Sequence, residues 1–274
     1  MRSRAMLSVE KQILYLISST RDIDVKTLVD IYEARDVSPQ IIRNTLSRLK
    51  KDGYIESTER SRYAVTPLGS EFIQTINRKP LLIEQQWDGV WHMVMFEVPE
   101  ADRKKRDAFR GGLLQLGFGL LYKSVYISPW DYTEDVLLLA DNLGITDWVT
   151  LGKGSFVHNG ITPEKAGEIW SLNSLNEVYL TKQEWIHSRF SPSLESLLKE
   201  KPVDDRALFV RFLELGEIIA ELGLSDPILP EELLPEGWIG RSCFLEYQRL
   251  LRTIAGAIPE ESAYRVFVNR FTAS

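Results

Sequence analysis

Five polar residues between positions 40 and 48 carry side chains suited to reading the edges of nucleic-acid bases. Gln40, Arg43, Asn44, Ser47 and Arg48 recur at helical spacing, so one face of a helix would present them together. Arginine can pair with guanine through two hydrogen bonds, and asparagine or glutamine with adenine. Lys50 and Lys51 follow directly and are candidate phosphate contacts. A charged stretch, Thr58-Glu59-Arg60-Ser61-Arg62, is expected to form a turn. Its tip would carry Arg60 and Arg62 to phosphates or to the minor groove.

A second basic run, Arg103-Lys104-Lys105-Arg106, has Arg110 one helical turn on. It falls in the N-terminal half of a predicted helix, where backbone amides favour anions and guanidinium groups suit phosphate. The run is either a solvated face or an anion site. In the second case Arg103, Arg106 and Arg110 would hold phosphates of DNA or of a nucleotide-bearing effector such as a coenzyme A ester. Nearby aromatics (Trp87, Trp91, Phe109, Tyr122, Tyr126 and Trp130) read as core, with a pocket for an aromatic acyl group as the alternative.

Enzymatic chemistry finds less support. His92, His158 and His187 are far apart and lack metal-ligand spacing. Cys243 stands beside Phe244 and Leu245 and reads as a small buried hydrophobe. Gly117-Phe118-Gly119 follows a helix instead of opening one, and Gly152-Lys153-Gly154-Ser155 lacks the spacing of a phosphate loop. No catalytic residue, metal or cofactor is expected.

The elements that must position these groups follow from periodicity. Ser8 can cap a helix carrying Ile13, Leu14, Leu16 and Ile17, and a second begins near Asp24. Ser38-Pro39 opens a third, with serine as N-cap and proline where its missing N–H costs nothing. Ile41, Ile42, Leu46 and Leu49 form its apolar stripe, and Gly53 stops it. Two short strands around 54–57 and 63–65 and a helix from Thr66 to about Asn77 complete a winged helix-turn-helix order. Residues 78–90 read as a boundary. Strands at 91–96, 120–128 and 148–151 alternate with helices at 102–116 and 133–143, which suggests a ferredoxin-like sandwich. From about Pro163 the pattern is helical, interrupted by a proline-rich stretch at 226–238.

The expected fold is therefore multidomain α+β, with segments 1–80, 81–160 and 161–274. Composition agrees: 274 residues, 44% hydrophobic and 26% charged, is what a soluble globular chain shows. No run reaches the ~20 apolar residues of a membrane span, and Met1-Arg2-Ser3-Arg4-Ala5-Met6-Leu7 has no leader pattern. One cysteine excludes an internal disulfide, so a reducing cytoplasm is the expected address. The net charge of −6 hides an asymmetry. Residues 1–80 carry 14 Lys+Arg against 10 Asp+Glu, and the rest 19 against 29. The candidate DNA-reading segment is thus +4 and the remainder −10, which bears on partners more than on fold.

Three blocks together resemble the PaaX-type repressors of phenylacetic acid catabolism. They are VSPQIIRNTLSRLKKDGYIESTERSRYAVTPLG at 37–69, WHMVMFEVPEADRKKRDAFRGGLLQLGFGLLYKSVYISPW at 91–130, and DPILPEELLPEGWIG at 226–240. The middle block is the most specific. The resemblance implies an N-terminal winged helix, a central Cas2-like ferredoxin domain and an α-helical C-terminal domain. It further implies a homodimer that represses transcription from operator DNA and leaves it when an acyl-CoA effector, phenylacetyl-CoA in the best-known members, binds. The family's recognition-helix pattern falls on Ser38, Arg43, Ser47 and Arg48, its wing on Arg60 and Arg62, and its Arg-x-x-Arg-Asp segment on Arg103, Arg106 and Asp107. A Cas2 nuclease would need an acid at the end of the first strand. Here Phe96-Glu97-Val98-Pro99 stands in place of Tyr-Asp, so the domain is read as structural or dimerising. A metal-dependent nuclease or an acyl-CoA-processing enzyme are the alternatives to a repressor.

Overall fold

The computed structural model describes residues 8–272. The N-terminal heptapeptide and the side chain of Ser8, expected to cap the first helix, lie outside the described residues.

The first stretch runs α1 (Ser8–Ser18), β1 (Ile23–Asp24), α2 (Val25–Glu33), α3 (Pro39–Lys51), β2 (Ile55–Glu59), β3 (Arg62–Val65) and α4 (Pro67–Arg78). The strands form one antiparallel sheet in the order β1-β3-β2. The short β1 is an addition to the elements expected from sequence. Asp24 caps α2 by accepting from the Thr27 amide at 2.9 Å. Pro39 opens α3 as expected, after an extended Ser38, but the Ser38 hydroxyl makes no capping bond. The fixed φ of proline and the extended residue before it start the helix without that bond. Gly53, at φ +82°, ends it in the left-handed region that glycine enters freely.

The middle of the chain runs β4 (Trp91–Phe96), α5 (Arg103–Leu116), β5 (Gly119–Tyr122), β6 (Val125–Ser128), α6 (Thr133–Leu143) and β7 (Val149–Gly154). The sheet order is β5-β6-β4-β7, antiparallel throughout. This β-α-β-β-α-β order is the ferredoxin-like topology. The single strand expected over 120–128 is instead a hairpin. Tyr122 pairs with Val125, leaving Lys123-Ser124 as its two-residue turn. That turn lacks the glycine or asparagine that usually marks one.

The remaining elements are α7 (Pro163–Ile169), α8 (Leu172–Trp185), α9 (Ser191–Lys199), α10 (Asp205–Ser225), α11 (Gly240–Ala257) and α12 (Arg265–Val268). None of the described helices is long and apolar enough to cross a membrane.

Packing gathers these segments into two compact units whose borders cut across the three sequence segments. One unit comprises residues 79–178 and 223–239. Both faces of its sheet are buried. Val94, Phe96 and Tyr126 join Phe109 and Leu113 of α5 and Val136 and Ala140 of α6 on one face. Trp91 and Ile127 on the other are covered by Ala166, Leu172, Leu229 and Leu233. The alternation of side chains along β4 and β6 sends neighbours to opposite faces. The proline-rich stretch is thus part of this unit's core, and Trp130 Nε1 donates to the Ile228 carbonyl at 2.6 Å.

Among the described residues, the other unit comprises 8–78, 179–222 and 240–272. Ile13 and Ile17 of α1, Leu28 of α2 and Ile42, Leu46 and Leu49 of α3 are buried in it. Gln12 links them to α10, donating to the Leu213 carbonyl at 2.6 Å. Arg35 bonds both Gln12 and Glu217 at 2.6 Å.

Candidate nucleic-acid interface

The buried side of α3 is Ile42, Thr45, Leu46 and Leu49, facing α1 and α2. The helical angle of 100° per residue then turns Gln40, Asn44, Ser47 and Lys51 outward, and all four are exposed. Arg43 and Lys50 lie at one margin of that outer face, both exposed. Ile41 and Arg48 lie at the other. Ile41 was expected in the apolar stripe, but it is 47% exposed. On the helical wheel it sits 80° outside the arc holding Ile42, Leu46 and Leu49, beyond reach of the core. Ile41, Asn44, Ser47 and Arg48 line an open hollow of about 440 Å³.

The candidate DNA contacts differ in how free their charges are. Gln40 Nε2 donates to Asn44 Oδ1 at 2.8 Å, pairing the two amides one turn apart. Arg48 Nη2 lies 2.8 Å from Glu10 Oε1, so its charge is already engaged by α1. Lys50 Nζ donates to Ser57 Oγ of β2 at 2.9 Å. Arg43 and Lys51 have no ion pair among the described residues, and both are exposed, so these two cations of α3 are available to an external acceptor. Ser38, exposed at the start of the helix, completes the set.

The β2–β3 turn is tighter than expected. It contains only Arg60 and Ser61 between paired Glu59 and Arg62, with Ser61 at φ +62°. Arg60 is exposed there, whereas Arg62 opens β3 and is not at the tip. Its Nε donates to Asp22 Oδ1 at 2.9 Å and its Nη2 bonds the same oxygen. That contact, more than the accompanying charge attraction, raises the Arg62 pKa further above its ordinary value. Thr66 and Gly69 close the region. Thr66 Oγ1 donates to the Gly53 carbonyl at 2.6 Å and accepts from the Gly69 amide at 3.1 Å. A Cβ on Gly69 would come within 2.2 Å of the Tyr54 carbonyl oxygen.

Arg103, Lys105 and Arg106 of the second basic run each stand beside an acid. Arg106 Nη1 bonds Glu100 Oε2 at 2.8 Å, Lys105 pairs with Asp102 at 3.0 Å, and Arg103 is 3.9 Å from Glu100 and 3.7 Å from Asp107. The hydrogen bond from Arg106 holds the Glu100 carboxyl below the usual range. Arg110 turns its Nε to the Tyr126 hydroxyl at 3.0 Å. The structure therefore brings Arg103 and Arg106 together around Glu100, with Arg110 engaged separately. An anion arriving there would meet acids as well as guanidinium groups.

His92 is 3.7 Å from Asp131, and His187 is 2.7 Å from Glu246. Cys243 is fully buried, and burial pushes its thiol pKa up. Glu97 is exposed just after β4. Among the described residues no three His, Cys, Asp or Glu side chains gather to hold a metal. Sequence reasoning missed Glu10 and Asp22, acids far along the chain from the arginines they hold. It also missed the outward turn of Ile41, which a helical wheel alone reveals.

Two family models match this architecture. One describes the PaaX protein central Cas2-like domain and covers residues 84–166. The other describes the PaaX-like protein C-terminal domain and covers residues 170–271. The chain belongs to the PaaX family. It is 29% identical to the transcriptional repressor PaaX of Escherichia coli (strain K12) over 253 residues, 86% of this chain and 76% of that one. Among solved structures it is similar to an uncharacterised protein of Mycobacterium tuberculosis. There the TM-score is 0.56 and the identity 18%, over 92% of this chain and 97% of that one. This last likeness concerns the fold alone. Within the PaaX family, the Cas2-like domain model falls on the ferredoxin-like sheet. The C-terminal domain model spans the helices from α8 onward and the proline-rich stretch.

Proposed function

We propose that this PaaX-family chain is an effector-responsive transcriptional repressor whose residues 1–80 act as a winged helix-turn-helix. The observation that carries this reading is the outer face of α3. It presents Gln40, Arg43, Asn44 and Ser47 to solvent from a buried apolar seam, with the Arg60 turn following in the same segment. The E. coli relative named as a transcriptional repressor supports it. In this reading Arg43 and the Gln40–Asn44 amides read bases. Ser38, Ser47, Lys50, Lys51 and Arg60 meet the backbone or flanking edges, and Arg48 and Arg62 act from their ion pairs as positioning residues.

The protein would work in the cytoplasm as a homodimer, with segment 81–160 as its structural or dimerising domain and segment 161–274 as its helical one. A palindromic operator needs two recognition helices ~34 Å apart, so a change in dimer geometry ends binding. The effector would be an acyl-CoA such as phenylacetyl-CoA, and the controlled operon one of aromatic acid degradation. Arg103, Arg106 and Arg110 are the candidate anion contacts, provided the ester displaces Glu100 from Arg106. A tenfold loss of operator affinity requires about 1.4 kcal/mol of coupling.

Fluorescence anisotropy with duplex from upstream of the protein's own gene, against random duplex and with or without phenylacetyl-CoA, tests the reading. Specific binding released by the ester is the expected result. Specific binding indifferent to it would reject that effector and keep the repressor. Equal binding to all duplexes, at physiological salt and across neighbouring upstream regions, would overturn the DNA-reading role.

A further inference from the structure

We propose that Ile41 is a specificity residue that reads the 5-methyl group of a thymine in the major groove. The inference rests on the DNA-reading role proposed for α3 and assigns one contact within it.

Ile41 is 47% exposed, while Ile42, one residue on, is fully buried. The domain's core therefore does not account for an isoleucine at this position. Its neighbours in the hollow are Asn44, Ser47 and Arg48, so a branched apolar side chain stands among groups suited to base edges. Apolar surface left in water is unfavourable, and a partner that covers it gains from doing so. In the major groove only thymine offers an apolar group, its C5 methyl; every other base-pair edge there presents hydrogen-bond donors and acceptors.

Placement agrees with chemistry. Ile41 lies in the first turn of α3, and the N-terminal residues of a recognition helix are those that approach base edges. One turn on, Asn44 is held by Gln40 at 2.8 Å, and such an amide suits adenine. Ile41 with Asn44 thus fits an A·T step. Arg43 stands on the opposite margin of the face, 160° away around the helix, and serves a different base pair. The one cation lining the hollow, Arg48, is paired with Glu10. The hollow is accordingly better suited to an apolar group than to a phosphate.

The test uses the full chain and a duplex selected by it from a random pool, with each thymine then replaced singly by uracil. That change deletes one methyl group and leaves the hydrogen-bonding pattern intact. Wild-type protein is expected to lose about fourfold in affinity at one thymine of each half-site, the equivalent of one buried methyl. Ile41→Ala is expected to bind the thymine and uracil duplexes alike, near the wild-type value on uracil, with an unchanged unfolding midpoint. Wild-type indifference to every thymine-to-uracil change would overturn the assignment without any variant, as would Ile41→Ala keeping the wild-type ratio. If the pool yields no sequence bound above random, the DNA-reading role fails and this inference with it. Should Ile41→Ala change stability and leave the ratio alone, Ile41 is a packing or protein-contact residue.

Discussion

Arg48 and Glu10 join the outer margin of α3 to α1, with Nη2 and Oε1 2.8 Å apart and the carboxylate side chain only 12% exposed. The arginine that looks from sequence like a free DNA contact is therefore held by the protein itself. Glu10→Gln is expected to lower stability by about 0.5–1 kcal/mol, the range for a partly exposed pair. It should also release a positive charge, raising affinity for random duplex and steepening the salt dependence by about one phosphate's worth of counterion release. Salt titrations of both proteins check this, and an unchanged slope would mean that Arg48 never reaches the backbone.

Arg43 and Arg60 should fail differently. Arg43→Ala is expected to cost roughly 1–3 kcal/mol on the selected operator and little on random duplex, because a base contact carries the sequence information. Arg60→Ala should weaken both duplexes alike and reduce the salt slope by about one. Equal losses on the two duplexes for Arg43→Ala would remove it from base reading.

The Gly-Phe-Gly turn after α5 has a packing reason. Gly117 sits at φ +102°, and a Cβ on Gly119 would fall 2.3 Å from Ile169 Cγ2 and 2.5 Å from the Trp170 ring. Gly119→Ala is expected to destabilise by about 1–3 kcal/mol through overpacking. Gly111→Ala, with nothing within 4 Å of the new Cβ, should stabilise α5 by about 0.5–1 kcal/mol. Urea unfolding of the two variants compares the effects directly.

Lys11 gives stability an alkaline signature. Burial, only partly opposed by Glu10, lowers its pKa to about 8. Between that value and the ordinary ~10.4 the unfolded chain keeps a proton that the folded chain has released, so stability rises with pH. Above pH ~10 the buried Tyr32 and Tyr247, whose pKa values burial raises, act with the opposite sign, because the unfolded chain deprotonates first. Lys11→Met is expected to be more stable at pH 7 by on the order of 1–3 kcal/mol and to lose the rise from pH 8 to 9.5. Unfolding midpoints across that range check it.

Local patterns in the sequence made much of this molecule legible. Pro39 and Gly53 bracket α3, and the spacing of Ile42, Leu46 and Leu49 identifies its buried side. That leaves Gln40, Arg43, Asn44 and Ser47 outward. The proline-ended β4 and the alternation of strands and helices after it announce the ferredoxin-like order. These features are local because capping, helical period and backbone restriction act within a few residues.

Long-range partners were not legible. Nothing near Arg48 or Arg62 in sequence announces Glu10 or Asp22, and without those acids both arginines look like free cations. The hairpin at Lys123-Ser124 is set by the pairing of Tyr122 with Val125, not by a turn residue. The helical pattern from about Pro163 was legible, but not that Ala166, Leu172, Leu229 and Leu233 would close the second face of the central sheet. The sequence by itself determined most of the helices, the α/β alternation after β4 and the burial of Ile42, Leu46 and Leu49 on α3, since those depend on neighbours along the chain. Only the tertiary structure decided which charges remain free and which segments complete each core. Burial and ion pairing depend on groups brought together from distant positions.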